Sequence, residues 1–329
     1  MKTLNYIVMV LALLGLASCV KDVEFDGEQT DSLLVVNGLQ QVGKPANLCI
    51  EKSLFFMDAQ YDCRVKDLEV DLYVNGVFKE SLQVHDSLVT DVYYDWNWDW
   101  NGNWNWDDEV EPTEQEYQAY AFNYCEGQYV LCAGDRLRFE VRSSEFATAT
   151  AEVTMPDMPN VISFDTVSVD YEGSIIQFAL VIDDPIGPDY YNLFPRETMN
   201  GFVSSDLGFS DYTDVGVDDF MGESTGYYGY GMVNVLRDTY FDGTTHTVII
   251  QKWYWEDWEG APFILEVSRV DEHLCRYKSS YDAYQQSDPE SMLGMFSEPV
   301  QVYSNVENAM GVVCAQSEPV VFTIDLTYE

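Results

Sequence analysis

One stretch of the chain concentrates residues able to bind another molecule. Asp95 to Asp108 reads DWNWDWNGNWNWDD, and Trp96, Trp98, Trp100, Trp104 and Trp106 place five of the eight tryptophans within eleven residues. Indole rings edged by Asp and Asn form a surface that stacks sugar rings or planar ligands, or grips a protein through aromatic anchors. The central Asn101-Gly102 is a hairpin signal. A two-residue turn there puts Trp96, Trp98 and Trp100 on one face and Trp104 and Trp106 on the other. A three-residue turn puts all five on one face, because a one-residue change of register moves side chains between faces. Both registers stay open. The same pattern also reads as a hairpin whose tryptophans pack on one another, or as a low-complexity expansion.

Other residue types give weaker signals. Asp183, Asp184 and Asp189, or Asp214, Asp218 and Asp219, offer the clustered oxygens that Ca²⁺ favours, without the spacing of a known calcium loop. Strand-end turns and solvated loops account for both groups without an ion. The histidines His85, His246 and His273 are scattered and no CxxC occurs, so the pattern gives no zinc site. Neither a nucleophile elbow, HExxH, a phosphate loop nor a dinucleotide fingerprint is present. With 57 acidic residues some carboxylate pair is always at hand, so a hydrolase reading has no specific support. The chain is therefore expected to be non-enzymatic and to need no cofactor.

The 57 Asp and Glu face 16 Lys and Arg, for a formal net charge of −41. Such a field repels phosphate backbones and anionic lipid heads, which argues against nucleic-acid binding. It keeps a protein soluble and attracts cations or a basic partner.

The elements that would position these residues are strands. Leu33 to Gly38 and Ala46 to Lys52 read as neighbours in a sheet. Asp67 to Val74 alternates apolar and acidic residues and then meets Asn75-Gly76, a hairpin signal. Residues 136–141 and 148–154 continue the series. Short antiparallel strands without a long amphipathic helix pack as an immunoglobulin-like β-sandwich, expected over residues 32–155, with the Trp-rich hairpin inserted at about 93–112. Met155-Pro156-Asp157-Met158-Pro159 ends that pattern, since proline breaks strand pairing. A second β-rich domain is expected over 160–329, with strands at 161–169, 175–182, 246–254, 263–268 and 320–326. Its one short helix is expected at 271–286, where Leu274, Tyr277, Tyr281 and Tyr284 form a stripe expected to be core. Residues 198–231 lack clean periodicity.

At the start, an apolar run from Ile7 to Leu16 follows Lys2 and ends in small residues, the pattern of a secretory signal peptide. Ten residues at about 1.5 Å rise reach roughly 15 Å, half of a hydrocarbon core of about 30 Å, so the run does not span comfortably. Leu16-Ala17-Ser18-Cys19 resembles a lipobox, the signal for bacterial lipoprotein processing. The resemblance implies a signal peptide over 1–18, a mature chain starting at Cys19, and acylation (palmitate included) of that cysteine. Residues 19–31 form an acidic tether whose Lys21-Asp22 and following acids resemble the surface-export signal of Bacteroidota lipoproteins. Six cysteines then remain: Cys49, Cys63, Cys125, Cys132, Cys275 and Cys314. An even number in an exported protein permits disulfides, and the four-plus-two split suits pairing within each half.

A wider resemblance rests on Leu34-Val35-Val36-Asn37-Gly38, Gly134-Asp135-Arg136-Leu137-Arg138, Asp184-Pro185 followed by Tyr190-Tyr191, Phe241-Asp242-Gly243, the strand-to-helix run Leu265 to Tyr277, and Glu298-Pro299-Val300 leading to Ser304-Asn305-Val306-Glu307-Asn308. In that order these are similar to the Bacteroidota lipoprotein family known as domain of unknown function 4249. The sequence departs from the pattern at Ala309, where glycine is expected. The resemblance implies a lipid-anchored protein of the outer membrane, facing the cell exterior and assisting nutrient uptake by a TonB-dependent transporter. It carries no catalytic residues over. The alternative is a stand-alone glycan- or protein-binding adhesin that uses the Trp-rich hairpin.

The hairpin is expected to project from the fold, because an Asn or Asp beside nearly every Trp would bring costly polar groups into a core. Replacing Asp95 to Asp108 by a short Gly-Ser turn is expected to leave the urea midpoint nearly unchanged while recruitment of a transporter or ligand falls sharply. Unfolding of the first domain would make the tryptophans structural, and survival of both properties would make the segment dispensable.

Overall fold

Alternation of apolar and acidic residues builds β3 (Glu69–Val74), and Asn75-Gly76 turns it into β4 (Val77–Ser81). Asn75 and Gly76 take φ of 54° and 80°, the double left-handed conformation that Asn-Gly adopts at low cost. The computed structural model describes residues 31–54, 62–91, 118–170, 175–199, 202–204, 220–221, 234–253, 262–286 and 301–324. Those from Ser32 onward belong to one compact unit. The Trp-rich segment, Cys19, and Asp214, Asp218 and Asp219 lie outside the described residues.

The first half supplies β1 (Leu34–Gln41), β2 (Pro45–Lys52), β5 (Gln83–Asp91), β6 (Gln118–Val130), β7 (Arg136–Arg142) and β8 (Ala149–Thr154) besides the hairpin. The second half supplies β9 (Val161–Asp170), β10 (Ile175–Asp183), β11 (Tyr190–Met199), β12 (Phe202–Ser204), β13 (Phe220–Met221), β14 (Asn234–Arg237), β15 (Thr245–Trp253) and β16 (Phe263–Val270). The helix α1 (Glu272–Gln286) follows, then β17 (Val313–Gln316) and β18 (Val320–Ile324).

A large sheet runs β13-β14-β11-β16-β17-β1-β2-β6-β5, with β12 on β11 and β18 on β16. The sheet β4-β3-β7-β8 packs over one end, and the sheet β15-β10-β9 over the other. The architecture is mainly β, with two sandwiches and, among the described residues, one short helix. The first core holds Val36, Leu48, Ile50, Leu72, Phe139 and Val153. The second holds Phe178, Leu180, Tyr191, Phe241, Phe263 and Leu265, with the Phe178 and Phe263 rings stacked at 4.8 Å. Side chains alternate across a strand. Val313 and Ala315 of β17 therefore face the first core, while Val312 and Cys314 face a third cluster beneath α1. Val267 and Val270 of β16 divide between the second core and that third cluster in the same way. Both sandwiches thus lie on one side of the large sheet, and α1 on the other.

The Pro156–Pro159 connector separates β8 from β9, but the chain later comes back to the first core. β17 pairs parallel with β1, from Gly38 with Val313 to Gln41 with Gln316. The residues before β17 make that return. Asn305 clamps Val313 with its amide, Oδ1 accepting from the backbone N–H at 2.9 Å and Nδ2 donating to the carbonyl at 2.7 Å. Val306 plugs the first core, and Glu307 bridges Thr150 beyond the start of β8. Asn308 turns at φ 61° and donates to the carbonyl of Thr148 at 3.1 Å. Ala309, where glycine was expected, packs against the first core, and the left-handed positions fall on Asn308 and Gly311 instead.

The helix starts at an N-cap. Asp271 accepts from the N–H of Leu274 at 3.0 Å, satisfying one of the unpaired donors of the first turn. Its buried positions are Leu274, Cys275 and Lys278, whereas Tyr281 and Tyr284 are 37% and 44% exposed. The stripe expected as core is therefore only half buried: the sheet takes the face one residue around from it. No helix among the described residues is long and apolar enough to cross a membrane.

Gly311 sits where the return segment crosses β1. Its φ is 110°, and a Cβ there would lie 2.1 Å from the carbonyl oxygen of Val36. Gly311→Ala is expected to cost roughly 3 kcal/mol or more, because backbone must move. Gly43→Ala, at φ 82° with open space around it, should cost only about 1–2 kcal/mol. Urea unfolding of both variants checks the difference; equal losses would contradict the steric account.

Candidate functional site

Strand ends gather the first polar cluster. Asp189 precedes β11, Asp238 follows β14, and the pairing of Tyr190 with Arg237 sets the two acids side by side. Asp184 arrives from the end of β10. The three are buried, with carboxylate oxygens within 4.8 Å of one another. Asp184 and Asp189 thus come together as the sequence suggested, joined by Asp238, and they are buried rather than solvated. Asp183 goes elsewhere, accepting from Asn160 and Thr245.

Three carboxylates are the hard oxygen donors that Ca²⁺ takes, yet protein donors already meet them. Arg269 of β16 forms an ion pair with Asp189. Asp238 accepts from the N–H of Asp189 at 2.8 Å. Asp184 accepts from the Tyr191 hydroxyl and from the N–H of Gly243 at 2.9 Å. Burial, then the Asp184 acceptor, push the Tyr191 phenol far up, while burial pushes the Arg269 guanidinium down. The arrangement is a latch closing the end of the second sandwich, with a guanidinium as its cation.

On the opposite side of the sheet, α1 and residues 301–304 frame an open cavity of about 570 Å³. Its lining is Arg237, Arg276, Ser279, Ser280, Ala283, Gln301, Val302, Tyr303 and Ser304. Tyr303 is held at three points. Its N–H donates to Ser280 Oγ at 2.7 Å, its hydroxyl meets His273 Nδ1 at 2.8 Å, and its ring stacks on His273. Arg276 lies over the same ring, 5.7 Å from its centre, and pairs with Glu272 one turn back. Arg237 donates from Nε to Cys275 Sγ at 3.1 Å. Among the described residues, two guanidiniums, three serine hydroxyls, an amide and an aromatic face converge there. The sequence concealed this set because Arg237, α1 and Ser304 lie far apart in the chain.

The disulfides expected of the cysteines do not form: all six thiols are free. Cys49 opposes Tyr124 while Cys125 opposes Leu48, so the strand pairing points the two thiols to opposite faces of the sheet. Cys63 is buried and Cys132 exposed. Cys275 and Cys314 share the cluster beneath α1, but Cys275 accepts from Arg237 and Cys314 bonds to the carbonyl of Gly38. Burial, with a smaller effect from Glu51, pushes Cys49 up to about 11, and burial pushes Cys125 up to about 12.

The family model described as Domain of unknown function (DUF4249) matches residues 20–319. No curated protein matches the chain. Among solved structures, bovine butyrophilin is similar at 12% identity over 72% of this chain and 92% of that one, with a TM-score of 0.17.

Asp271, the N-cap beside the cavity, carries a pH-dependent cost. Burial pushes its carboxyl up to about 7, and its Oδ2 is buried without a partner. Since the folded value lies above the unfolded one, the stability it contributes is complete below the ordinary carboxylate range and is lost as pH rises through about 7. Each unit of that loss is worth about 1.4 kcal/mol. Asp271→Asn keeps a capping side chain and removes the charge. It is expected to match or exceed the parent's stability at pH 8 and to lose that advantage at pH 5, read by thermal melts at both values. An advantage independent of pH would contradict the assignment.

Proposed function

The chain belongs to the DUF4249 family, and on that premise we propose that it is a non-enzymatic lipoprotein of the Bacteroidota outer membrane. It faces the cell exterior and captures a ligand for a TonB-dependent transporter or docks on that transporter. The observation that carries the reading is Leu16-Ala17-Ser18-Cys19, a lipobox-like stretch closing an apolar run, directly before the first residue of the family match. A lipidated cysteine there would anchor the mature chain through the acidic tether, since two or more acyl chains give stable anchoring. The sandwich scaffold suits a binding role, with its cavity and helix free of the sheet packing that closes the other side. The five tryptophans of 96–106 favour a second reading, a stand-alone glycan- or protein-binding module.

Cys19→Ala is expected to accumulate as an unprocessed precursor without acyl label, read by mobility and metabolic labelling; normal maturation would overturn the anchor. External protease on intact cells should remove the parent protein. Isolation in mild detergent should bring down a β-barrel transporter in stoichiometric amount. A lone protein that binds glycans would favour the second reading instead.

A further inference from the structure

We infer that the first sandwich sits with one rim on the lipid surface that carries the anchor, in contact through Leu33, Leu88 and Met310. The inference depends on the lipid-anchor reading above and adds which side of the fold meets the bilayer. Backbone pairing defines the rim. Met310 donates its N–H to the carbonyl of Leu34, and Leu34 pairs with Lys52. Lys52 donates to the carbonyl of Cys63, Cys63 to that of Ala121, and Ala121 pairs with Leu88. These residues form one row across the end of the large sheet, roughly 24 Å wide at about 4.8 Å per strand. The chain toward Cys19 leaves the fold beside this row, at Leu33. β8 starts on the same side, because Thr150 bridges Glu307 just before Met310. The opposite end of the first sandwich is taken. β17, parallel to β1, runs away from the rim toward β18, and β8 runs into the prolines, so the second sandwich lies beyond that end.

Large apolar side chains stand open along this row. Leu33 is 49%, Leu88 65% and Met310 42% exposed, although all three lie beside strands of a packed sandwich. Apolar groups gathered in the open mark an interaction site. The chain outside the fold says what covers them. Thirteen residues, 19–31, lead from the lipid-bearing position to the first described strand. As a flexible coil at about 5–6 Å × √n they span roughly 20 Å. A linker that short keeps the rim near the bilayer at an effective concentration on the order of millimolar, so a few apolar contacts are enough to hold it there. The strands that lead to and from the Trp-rich segment also end on this side, since Asp91 pairs with Gln118. Indole is a side chain that membrane interfaces favour. Acids share the rim, Asp67, Glu69 and Glu307 among them, so zwitterionic lipid suits it better than anionic lipid.

Fluorescence quenching of the acylated, full-length mature protein in phosphatidylcholine vesicles tests this, with a nitroxide on the lipid headgroup. Cys132 is exposed between β6 and β7, at the end away from the rim, and takes one fluorophore. Ala147→Cys in a Cys132→Ser background takes the other, at an exposed position between β7 and β8 on the rim. Cys132→Ser alone supplies the blank. The two probes are separated by at least the length of β7, roughly 20 Å. The rim probe is expected to be quenched and the Cys132 probe hardly at all. Leu33→Asp together with Met310→Asp, both at exposed positions, should lower quenching of the rim probe roughly threefold or more by removing apolar contact. Val77→Asp, exposed at the β3–β4 turn on the far end, should leave it unchanged. Equal quenching of the two probes, quenching of Cys132 alone, or silence at both overturns the inference, and so does quenching unmoved by the double substitution. Quenching that appears only after a β-barrel protein is added gives the rim to a protein partner and overturns it too. Intact mass decides the premise separately. Absence of acyl chains on Cys19 sinks the anchor reading and this inference with it, whereas an acylated protein with any of the contrary patterns loses this inference alone.

Discussion

The structure depends on a late parallel pairing. β17 lies between β1 and β16, with Val313 and Ala315 in the first core and Cys314 beneath α1. Parallel neighbours cannot be joined by a tight turn. The pairing of Gly38 with Val313 therefore waits for nearly the whole chain to be in place. Until then the edge of β1 is open and the first sandwich lacks Val306, Val313 and Ala315. Closing so long a loop costs entropy before contacts reward it, which makes this the step that non-local β folds take slowly. The backbone bonds from Val36 to Met310 and from Gly38 to Val312, with Asn37 Oδ1 accepting from Val312, are what the closure yields.

This explains which parts of the fold were legible in sequence. Half-buried strands announce themselves by alternation, and β7 and β8 do so with one face on the core and the other half-buried or exposed. The Asn75-Gly76 turn is local chemistry and needs no tertiary context. β17 is four residues long, with Val-Cys-Ala buried consecutively, so it shows no period. β11 and β14 gain their identity only from neighbours across the sheet. A boundary at the prolines was legible as a connector, but prolines say nothing of a segment that returns from the far end. Ser304 to Asn308 stood out in the sequence without a reason. Its reason is geometric: one amide clamps a strand, one valine fills a core, and one asparagine takes a left-handed turn.

The site was less legible than the fold, because its members are brought together by topology. Asp184 and Asp189 are near in sequence, and their meeting could be anticipated. Asp238 joins them only through the pairing of β11 with β14. Most cations with partners among the described residues answer carboxylates. Arg64 meets Asp62 and Asp86, Arg138 meets Glu140 and Glu152, and Arg142 meets Glu69, Asp71 and Glu140. The exposed ones, such as Arg64 with Asp86, are worth about 0–1 kcal/mol each and serve mainly to relieve local repulsion, whereas Asp71 meets Arg142 from a buried position. Two of the bases, Arg237 and Arg276, border the cavity beside α1.

That cavity shares residues with the closure. Ser304 lines it and precedes Asn305, whose amide holds Val313 of β17; Tyr303 is tied to α1 through Ser280 and His273. A molecule touching Arg276 and Ser304 together would hold helix and return segment in their native relation. Binding to the folded state alone adds stability as RT ln(1 + [L]/Kd), about 2.7 kcal/mol at a hundredfold excess over Kd. The gain would fall on the part of the chain that closes last, so occupancy and closure of the β1–β17 seam would favour each other. The two sandwiches on the other side of the sheet would gain only through that seam. The side bearing α1 is thus where a ligand would be felt by the fold as a whole.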